Sequence, residues 1–395
     1  MSLRVAVVTE SFLPSINGVT NSVVRVLETL KQHEHEALVI APTAPTQKHL
    51  GFDVVKSASV PLFQFPVAVP GPFLQAQLED FAPDVIHVAS PFMLGGQAIA
   101  AAERMGVPAV AIYQTDISGY MQRYNLNFAR PMVDKLIAAI HQPATLNLAP
   151  TPESAEYLER LGVGGVHVWG RGVDLDLFHP HWRAEPEAKA LRAEVQSLAK
   201  AKKGKEPVVI GFVGRLAAEK QVHRLAELFK LDNVVFLVVG DGPERTRLEA
   251  DFAGQPVKFA GRLSGLDLAH AYSAIDIFVH FGTEETFGQT IQEAQAAGLA
   301  VVAPAAGGPK FLIEDHVSGK LAEPYAKNGF TKIIRDLVED VELRARLGEG
   351  ARRAVIKKSW AANNAKLLEF YNEAIAINSA NRAGASTKAL NIELA

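Results

Sequence analysis

Short apolar runs recur along the chain, separated by longer stretches in which apolar side chains return every three to four residues. Runs at 4–9, 37–41, 85–88, 109–113, 145–149 and 166–169 are rich in Val, Ile, Leu and Ala and show no alternation. That is the pattern of parallel strands buried on both faces. A stretch starting near Val19 and those at 93–105, 130–140 and 152–161 carry the helical period. The alternation then restarts, with strands at 208–213, 234–239, 257–260, 277–281 and 299–303 and helices at 219–229, 243–253, 265–274 and from Phe287. Helices near 326–338, 340–357 and 359–378 close the chain. Alternating strand and helix predicts a doubly wound parallel sheet, and here the pattern occurs twice.

The interruption between the halves sets the domain organisation. RGVDLDLFHPHWRAEPEAK (171–189) is rich in turn residues, and 188–206 reads as a charged, Ala/Lys-rich helix or linker. We expect an N-terminal domain over 1–185, a C-terminal domain over 186–358, a helix at 359–378 packing back towards the first domain, and a flexible tail over 379–395. Ligands in such sheets sit beyond the carboxyl ends of the strands, and two facing domains place the site in the cleft between them.

Composition narrows the function classes. With 395 residues and 48% hydrophobic content, the chain can bury two sizeable cores. A net charge of −3 leaves no electrostatic footprint for nucleic acid, and the basic run KAKKGK (200–205) has no interleaved aromatics. There is no cysteine, which excludes disulfides and thiolate zinc sites and fits a reducing cytoplasm. The first apolar run is too short for a signal peptide and is interrupted by Glu10, and no stretch approaches the roughly 18 apolar residues of a membrane span.

The candidate chemistry concentrates in DIFVHFGTEETFGQTIQEAQAAGLAVVAPAAGG (276–308). A helix N-terminus at the carboxyl end of a parallel strand is an anion site, because its N–H groups and dipole point outwards. The amides of Gly288, Gln289 and Thr290, following Phe287, are placed to meet phosphate oxygens. Glu285 and Glu293 are eight residues apart, just over two turns on one continuous helix. Glu285, however, precedes the helix, which separates their tasks: Glu285 can reach a sugar ring and Glu293 a ribose, since an ionised carboxylate only accepts hydrogen bonds. Ordinary helix-face carboxylates are the simpler alternative. A phosphate site flanked by hydroxyl acceptors suggests a sugar nucleotide.

Other stretches fit this reading. In GRLAAEKQ (214–221), Gly214 permits close approach, and Arg215 and Lys220 can neutralise a diphosphate, Arg by a planar fork and Lys as a point charge. Surface charges paired with Glu219 are the alternative. Asn17 and Gly18 form a strand-to-helix corner where a ligand can approach the backbone. The corner lacks a G-x-G-x-x-G fingerprint, which disfavours a nicotinamide enzyme. The loops VVGDGPER (238–245) and FAGRL (259–263) are either plain turns or backbone shaped around a nucleobase near Arg262 and Leu263. In YQTDISGYMQRY (113–124), Asp116 is a candidate contact to the donor sugar or acceptor hydroxyl, or else a helix N-cap. Tyr120, Arg123 and Tyr124 are candidate acceptor-pocket residues. DLD (174–176) reads as turn chemistry rather than a metal motif, and HEHE (33–36) as a solvated helix end.

In combination, Glu285/Glu293 within EETFGQTIQEAQAAGLAVVAP, the G-R-L-x-x-E-K block at 214–220, RGVD–F at 171–178 and Asn17-Gly18 resemble the family 4 glycosyltransferases with the two-domain GT-B architecture, over roughly residues 3–378. TDISGY (115–120) adds a likeness to actinobacterial GDP-mannose-dependent α-mannosyltransferases of glycolipid synthesis. The resemblance implies two Rossmann-like domains and a retaining transfer with no required metal or other cofactor. It implies that Arg215 and Lys220 hold the donor diphosphate, Gly18 packs against it, Glu293 binds the ribose and Glu285 the transferred sugar. Many members have His where this chain has Asp116. Many also have an acidic residue three positions beyond Gly307-Gly308, where this chain has Phe311. Both departures leave the donor sugar open.

The expected function is therefore transfer of a hexose, mannose from GDP-mannose by the actinobacterial likeness, onto a lipid-linked or glycolipid acceptor at the cytoplasmic membrane face. Alternatives are a UDP-sugar enzyme with a soluble acceptor, a sugar-nucleotide epimerase of the same shape, and a binding module without activity. Arg123, Arg130 and Lys135, with Phe128 and Met132 between them, form either a peripheral membrane patch or an ordinary domain-surface helix. The Pro- and Phe-rich segment 60–78 is either a packed loop over the sheet or a surface for an apolar acceptor or membrane.

Overall fold

The apolar runs form two separate parallel sheets in a computed structural model of the chain, which describes residues 2–15, 17–44, 46–57, 59–62, 65–68, 73–89, 91–114, 130–199 and 205–393. The chain divides into one unit of Met1–Arg171 with Trp360–Ala395 and a second of Gly172–Ser359.

In the first unit the strands are β1 (Arg4–Thr9), β2 (Glu36–Ala41), β3 (Lys48–His49), β4 (Phe52–Lys56), β5 (Ser59–Leu62), β6 (Phe65–Ala68), β7 (Val85–Ala89), β8 (Ala109–Ile112), β9 (Leu146–Ala149) and β10 (Val166–Val168). The large sheet runs β10-β9-β8-β7-β1-β2-β4-β3, parallel except for β3–β4, and β5–β6 form a separate antiparallel pair. One face is covered by the helix Gly18–Gln32, through Val23, Val26, Leu27 and Leu30, and by the C-terminal helix through Leu367, Tyr371 and Ala374. The other face packs on Leu74, Leu78, Leu94, Ala98 and Ile99 of the helices Phe73–Phe81 and Met93–Met105. Each fully buried aliphatic side chain contributes roughly 1.5–3 kcal/mol, so both faces are driven by the same apolar runs.

The C-terminal helix extends over Trp360–Glu393, past the 359–378 expected. Asn378 Nδ2 donates to Gly106 O at 2.8 Å and Arg382 Nη1 to the same carbonyl at 3.4 Å; the second tie lies within the stretch expected to be a flexible tail. Earlier along the helix, Asn364 Nδ2 donates to Thr29 Oγ1 at 2.9 Å, and Tyr371 OH lies 2.8 Å from Nδ1 of the buried His87.

Burial lowers the pKa of His87 to about 3 and that of His141 to about 4, with Asn147 partly opposing the shift at His141. An unfolded chain protonates both near pH 6.5, while the folded unit keeps them neutral until the lower values, so stability is full above pH 6.5 and is lost as pH falls below it. Between pH 6.5 and 5 each contributes a loss of about 2 kcal/mol. Denaturant midpoints measured at pH 7 and pH 5 check this: the wild-type midpoint is expected to fall, and His87→Asn to reduce that fall by about half, the His141 share remaining.

In the second unit the strands are β11 (Val208–Val213), β12 (Val234–Val239), β13 (Val257–Gly261), β14 (Ile277–Val279), β15 (Ala300–Pro304) and β16 (Lys320–Ala322). All are parallel, in the order β13-β12-β11-β14-β15-β16. Counted from β11 this is 3-2-1-4-5-6, so the strand order reverses between β11 and β14, where sheets of this kind bind ligands at the carboxyl ends.

The division at Arg171/Gly172 precedes the expected 185/186, because the turn-rich stretch belongs to the second sheet. Val173 N donates to Lys358 O at 2.9 Å, Arg352 Nη1 donates to Phe178 O at 2.9 Å and Ala296 O at 2.7 Å, and Arg183 pairs with Asp276 at 3.2 Å. Asp174 Oδ1 accepts from Leu177 N at 3.0 Å, which is turn chemistry in the DLD run. The α-helix expected at 219–229 is instead two 3₁₀ segments, Ala218–Lys220 and Val222–Leu228, broken by Gln221 at φ 51°. The helix expected from Phe287 begins at Gln289, since Gly288 stands at φ 99° as its N-cap.

Candidate active site

The loops that leave β11 and β14 at the reversal point carry most of the residues singled out in the sequence. After β11, Gly214 N donates to Val239 O at 3.0 Å and Leu216 N to Asp241 O at 2.9 Å. This seats the 214–216 loop on the 240–242 loop. A Cβ on Gly240 would stand 1.9 Å from Gly214 O, and one on Gly242 2.4 Å from Leu216 O, so only glycine permits the contact. The GDG run therefore supports the Arg215 loop from below. Arg215 is exposed, and Lys220 ends the first 3₁₀ turn, half-buried.

After β14 the chain passes through His280 and Gly282 into the loop bearing Glu285. Lys220 Nζ is ion-paired with Glu285 Oε2, so residues from the two loops meet at one carboxylate. The loop is fixed from the far side: Gly308 N donates to Glu285 O at 2.7 Å, and a Cβ on Gly308 would collide with Phe287 O at 2.2 Å. Gln221 Nε2 also donates to Thr283 Oγ1 at 3.2 Å.

The helix Gln289–Ala296 then starts with no side-chain cap, leaving the amides of Gln289 and Thr290 without intrahelical acceptors. Gln289 Nε2 donates to Gly172 O at 3.0 Å. Glu293, one turn along, accepts from Tyr272 OH at 2.7 Å, and the same hydroxyl lies 3.3 Å from Thr290 O. Burial raises the Tyr272 pKa well above 10, with the Glu293 charge adding to it, so the phenol remains a donor to the carboxylate. Arg262 is exposed and Leu263 packs partly on the core beyond the end of β13.

The predicted residues of the first unit sit on the loop after β1. Asn17 caps the helix Gly18–Gln32, its Oδ1 accepting from Val19 N and Thr20 N at 3.0 Å each. Arg171 Nη1 donates to Gly18 O at 3.0 Å and its Nη2 to Gln114 Oε1 at 2.9 Å, and a Cβ on Gly18 would lie 2.7 Å from that guanidinium. Asp116, Tyr120, Arg123 and Tyr124 lie outside the described residues.

Tyr272 and His280, which approach Glu293 and Glu285, and in the first unit Arg171, which bonds Gly18, were not assigned roles in the sequence. Arg171 opens the RGVD run and is nearly fully buried, although Arg is rarely buried without partners. Tyr272 stands among small residues in AHAYSA, a spacing that marks a packed aromatic but not its hydroxyl contact. His280 is the one polar residue in the apolar run IFVHF.

The chain is similar to known proteins over most of its length. The model for glycosyl transferases group 1 matches residues 195–354, and that for glycosyltransferase family 4 matches residues 16–177. The chain is 41% identical over 384 residues to the GDP-mannose-dependent alpha-mannosyltransferase of Corynebacterium glutamicum, covering 95% of this chain and 90% of that protein. It is 41% identical over 379 residues to the protein of the same name from Mycobacterium tuberculosis, covering 93% of this chain and 96% of that one. Among solved structures, the Anabaena protein Alr3699/HepE in complex with UDP and glucose superposes with a TM-score of 0.74 at 21% identity, over 94% of this chain and 99% of that one, which shows the fold alone. The fold is thus GT-B, built of two doubly wound parallel-sheet α/β domains, and the chain belongs to the family 4 glycosyltransferases.

Proposed function

We propose that the enzyme transfers mannose from GDP-mannose to a lipid-linked or glycolipid acceptor at the cytoplasmic membrane face, with retention of configuration and without a metal. The donor assignment is carried by one observation: relatives aligned over more than nine-tenths of the chain are named GDP-mannose-dependent alpha-mannosyltransferases. The geometry of the second unit supports it. Arg215 and Lys220 follow β11 and the amides of Gly288, Gln289 and Thr290 follow β14, the two strands at the reversal, which suits neutralisation of a diphosphate. Lys220 has three donors, so its pairing with Glu285 leaves others for phosphate oxygens. Glu293, oriented by Tyr272, is the acceptor for ribose hydroxyls, and Glu285 for the sugar. Arg262 and Leu263 flank the base.

In the reaction, negative charge develops on the departing diphosphate. Cations and amides already aimed at that position stabilise the charge without having to reorganise, and such stabilisation commonly dominates the lowering of a barrier. No described side chain stands out as a base for the acceptor hydroxyl. The departing phosphate oxygen takes that proton on the same face. The test is incubation with GDP-mannose, with UDP-glucose as control, in the presence and absence of a bacterial lipid extract. Sugar should enter the lipid phase from GDP-mannose and not from UDP-glucose. Transfer from the UDP-sugar, or isomerisation of the donor without acceptor, overturns the proposal.

The membrane part rests on the helix Arg130–His141. Met132 and Leu136 are exposed one turn apart, beside the exposed Arg130 and Lys135, while Val133 and Ile137 point into the core. An apolar strip flanked by cations suits an anionic interface. No helix among the described residues is long and apolar enough to cross a membrane. Phe128 and Arg123 lie outside the described residues, as do the side chains over most of segment 60–78. Sedimentation with anionic vesicles at low salt is expected to capture the protein. Replacing Met132 and Leu136 together by Asp should weaken capture about tenfold or more, from the lost apolar burial. Absence of wild-type binding removes the membrane claim.

A further inference from the structure

His280 follows β14 directly and is 1% exposed. Its ring stacks on Phe212 of β11, with centroids 6.4 Å apart and planes at 16°. On the other side, a Cβ on Gly282 would lie 3.1 Å from His280 Nε2 and 2.9 Å from Glu219 O, so the loop backbone closes over the imidazole. Nε2 stands 3.7 Å from Glu285 Oε2, the same oxygen that pairs with Lys220. Neither ring nitrogen has a hydrogen-bond partner of good geometry among the described residues.

A buried polar ring in that position costs stability unless its nitrogens are used, and its strand neighbours Phe278, Val279 and Phe281 are all apolar. Filling space would need only another such residue. Burial lowers the His280 pKa to about 4, with the Glu285 charge and the nearby Gly282 backbone raising it and Lys220 lowering it. The ring is therefore neutral, with one N–H to give.

We propose that His280 is a positioning residue for sugar transfer: its Nε2–H grips Glu285 Oε2 opposite Lys220 and sets the plane of the carboxylate that meets the transferred sugar. A shift of about 1 Å brings the 3.7 Å approach to hydrogen-bonding distance. The inference rests on the reading of Glu285 as the sugar contact given above. It predicts a role in orienting the sugar and none in holding the nucleotide.

Three variants test it. His280→Gln keeps an N–H near the Nε2 position, His280→Asn places one near Nδ1, and His280→Leu fills the space without one. Kinetics with the sugar nucleotide, calorimetric titration with GDP and denaturation midpoints are measured for each. For His280→Leu and His280→Asn, kcat is expected to fall about 10- to 100-fold, the range for residues that orient a functional group, with GDP affinity unchanged. His280→Gln should recover to within about threefold of wild type. Leu performing as well as Gln overturns the inference, as does an equal loss in all three variants that tracks a lowered midpoint. Those results leave the donor site standing if wild type binds GDP; failure of the wild type to bind GDP overturns the donor-site reading and this inference together.

Discussion

Glu293→Ala is expected to weaken GDP binding by about 30- to 150-fold, the equivalent of about 2–3 kcal/mol for charge-assisted hydrogen bonds to ribose hydroxyls. The effect should appear in KM for the donor, with kcat little changed, because the ribose is held equally in ground and transition states. The fold tolerates the change. Tyr272 loses its 2.7 Å acceptor but keeps Thr290 O at 3.3 Å, so its hydroxyl is not stranded. Glu293→Gln separates charge from shape. It keeps an acceptor oxygen and is expected to fall between wild type and Ala. A normal GDP affinity in Glu293→Ala would remove Glu293 from the donor site.

Lys220→Ala is expected to behave in the opposite way, with kcat lowered about 10²- to 10³-fold, the cost of removing one donor aimed at developing charge. GDP affinity should fall less. The difference follows from where the charge grows. The ammonium meets a diphosphate in both states, but the charge it neutralises rises as the glycosidic bond breaks. The variant also deprives Glu285, 18% exposed at the side chain, of its cation. Lys220→Arg therefore serves as the control, keeping charge while changing geometry. Equal and mild effects from Lys220→Ala and Glu293→Ala would contradict the division of labour between them.

Much of this was legible in the sequence because it is local. Apolar runs without alternation mark doubly buried strands, and each predicted strand of the second half is present in its sheet. The fold class follows from the order of runs, and Glu285 and Glu293 stand out by spacing within one strand–turn–helix segment. What escaped depends on contacts between distant segments. Tyr272 reaches Glu293 from the preceding helix, and His280 meets Glu285 only because the loop folds back over it. Arg171 finds Gly18 and Gln114, 153 and 57 residues away. Gly240 and Gly242 read as a plain turn or as backbone shaped around a nucleobase, whereas they accommodate the 214–216 backbone. The 3₁₀ turns at 218–228 share the apolar spacing of a helix, and only the left-handed Gln221 reveals the break. The division lies at Arg171/Gly172 because Arg183 and Arg352 clamp the turn-rich stretch to the second sheet, contacts with residues distant in sequence.

Calorimetric titration of the wild-type protein with GDP, UDP and ADP bears most directly on the donor site at the end of β11 and β14. GDP should bind at least about tenfold more tightly than UDP or ADP. Preference for UDP or ADP would contradict the mannosyl donor while sparing the diphosphate site, and no binding by any of the three would contradict the site itself.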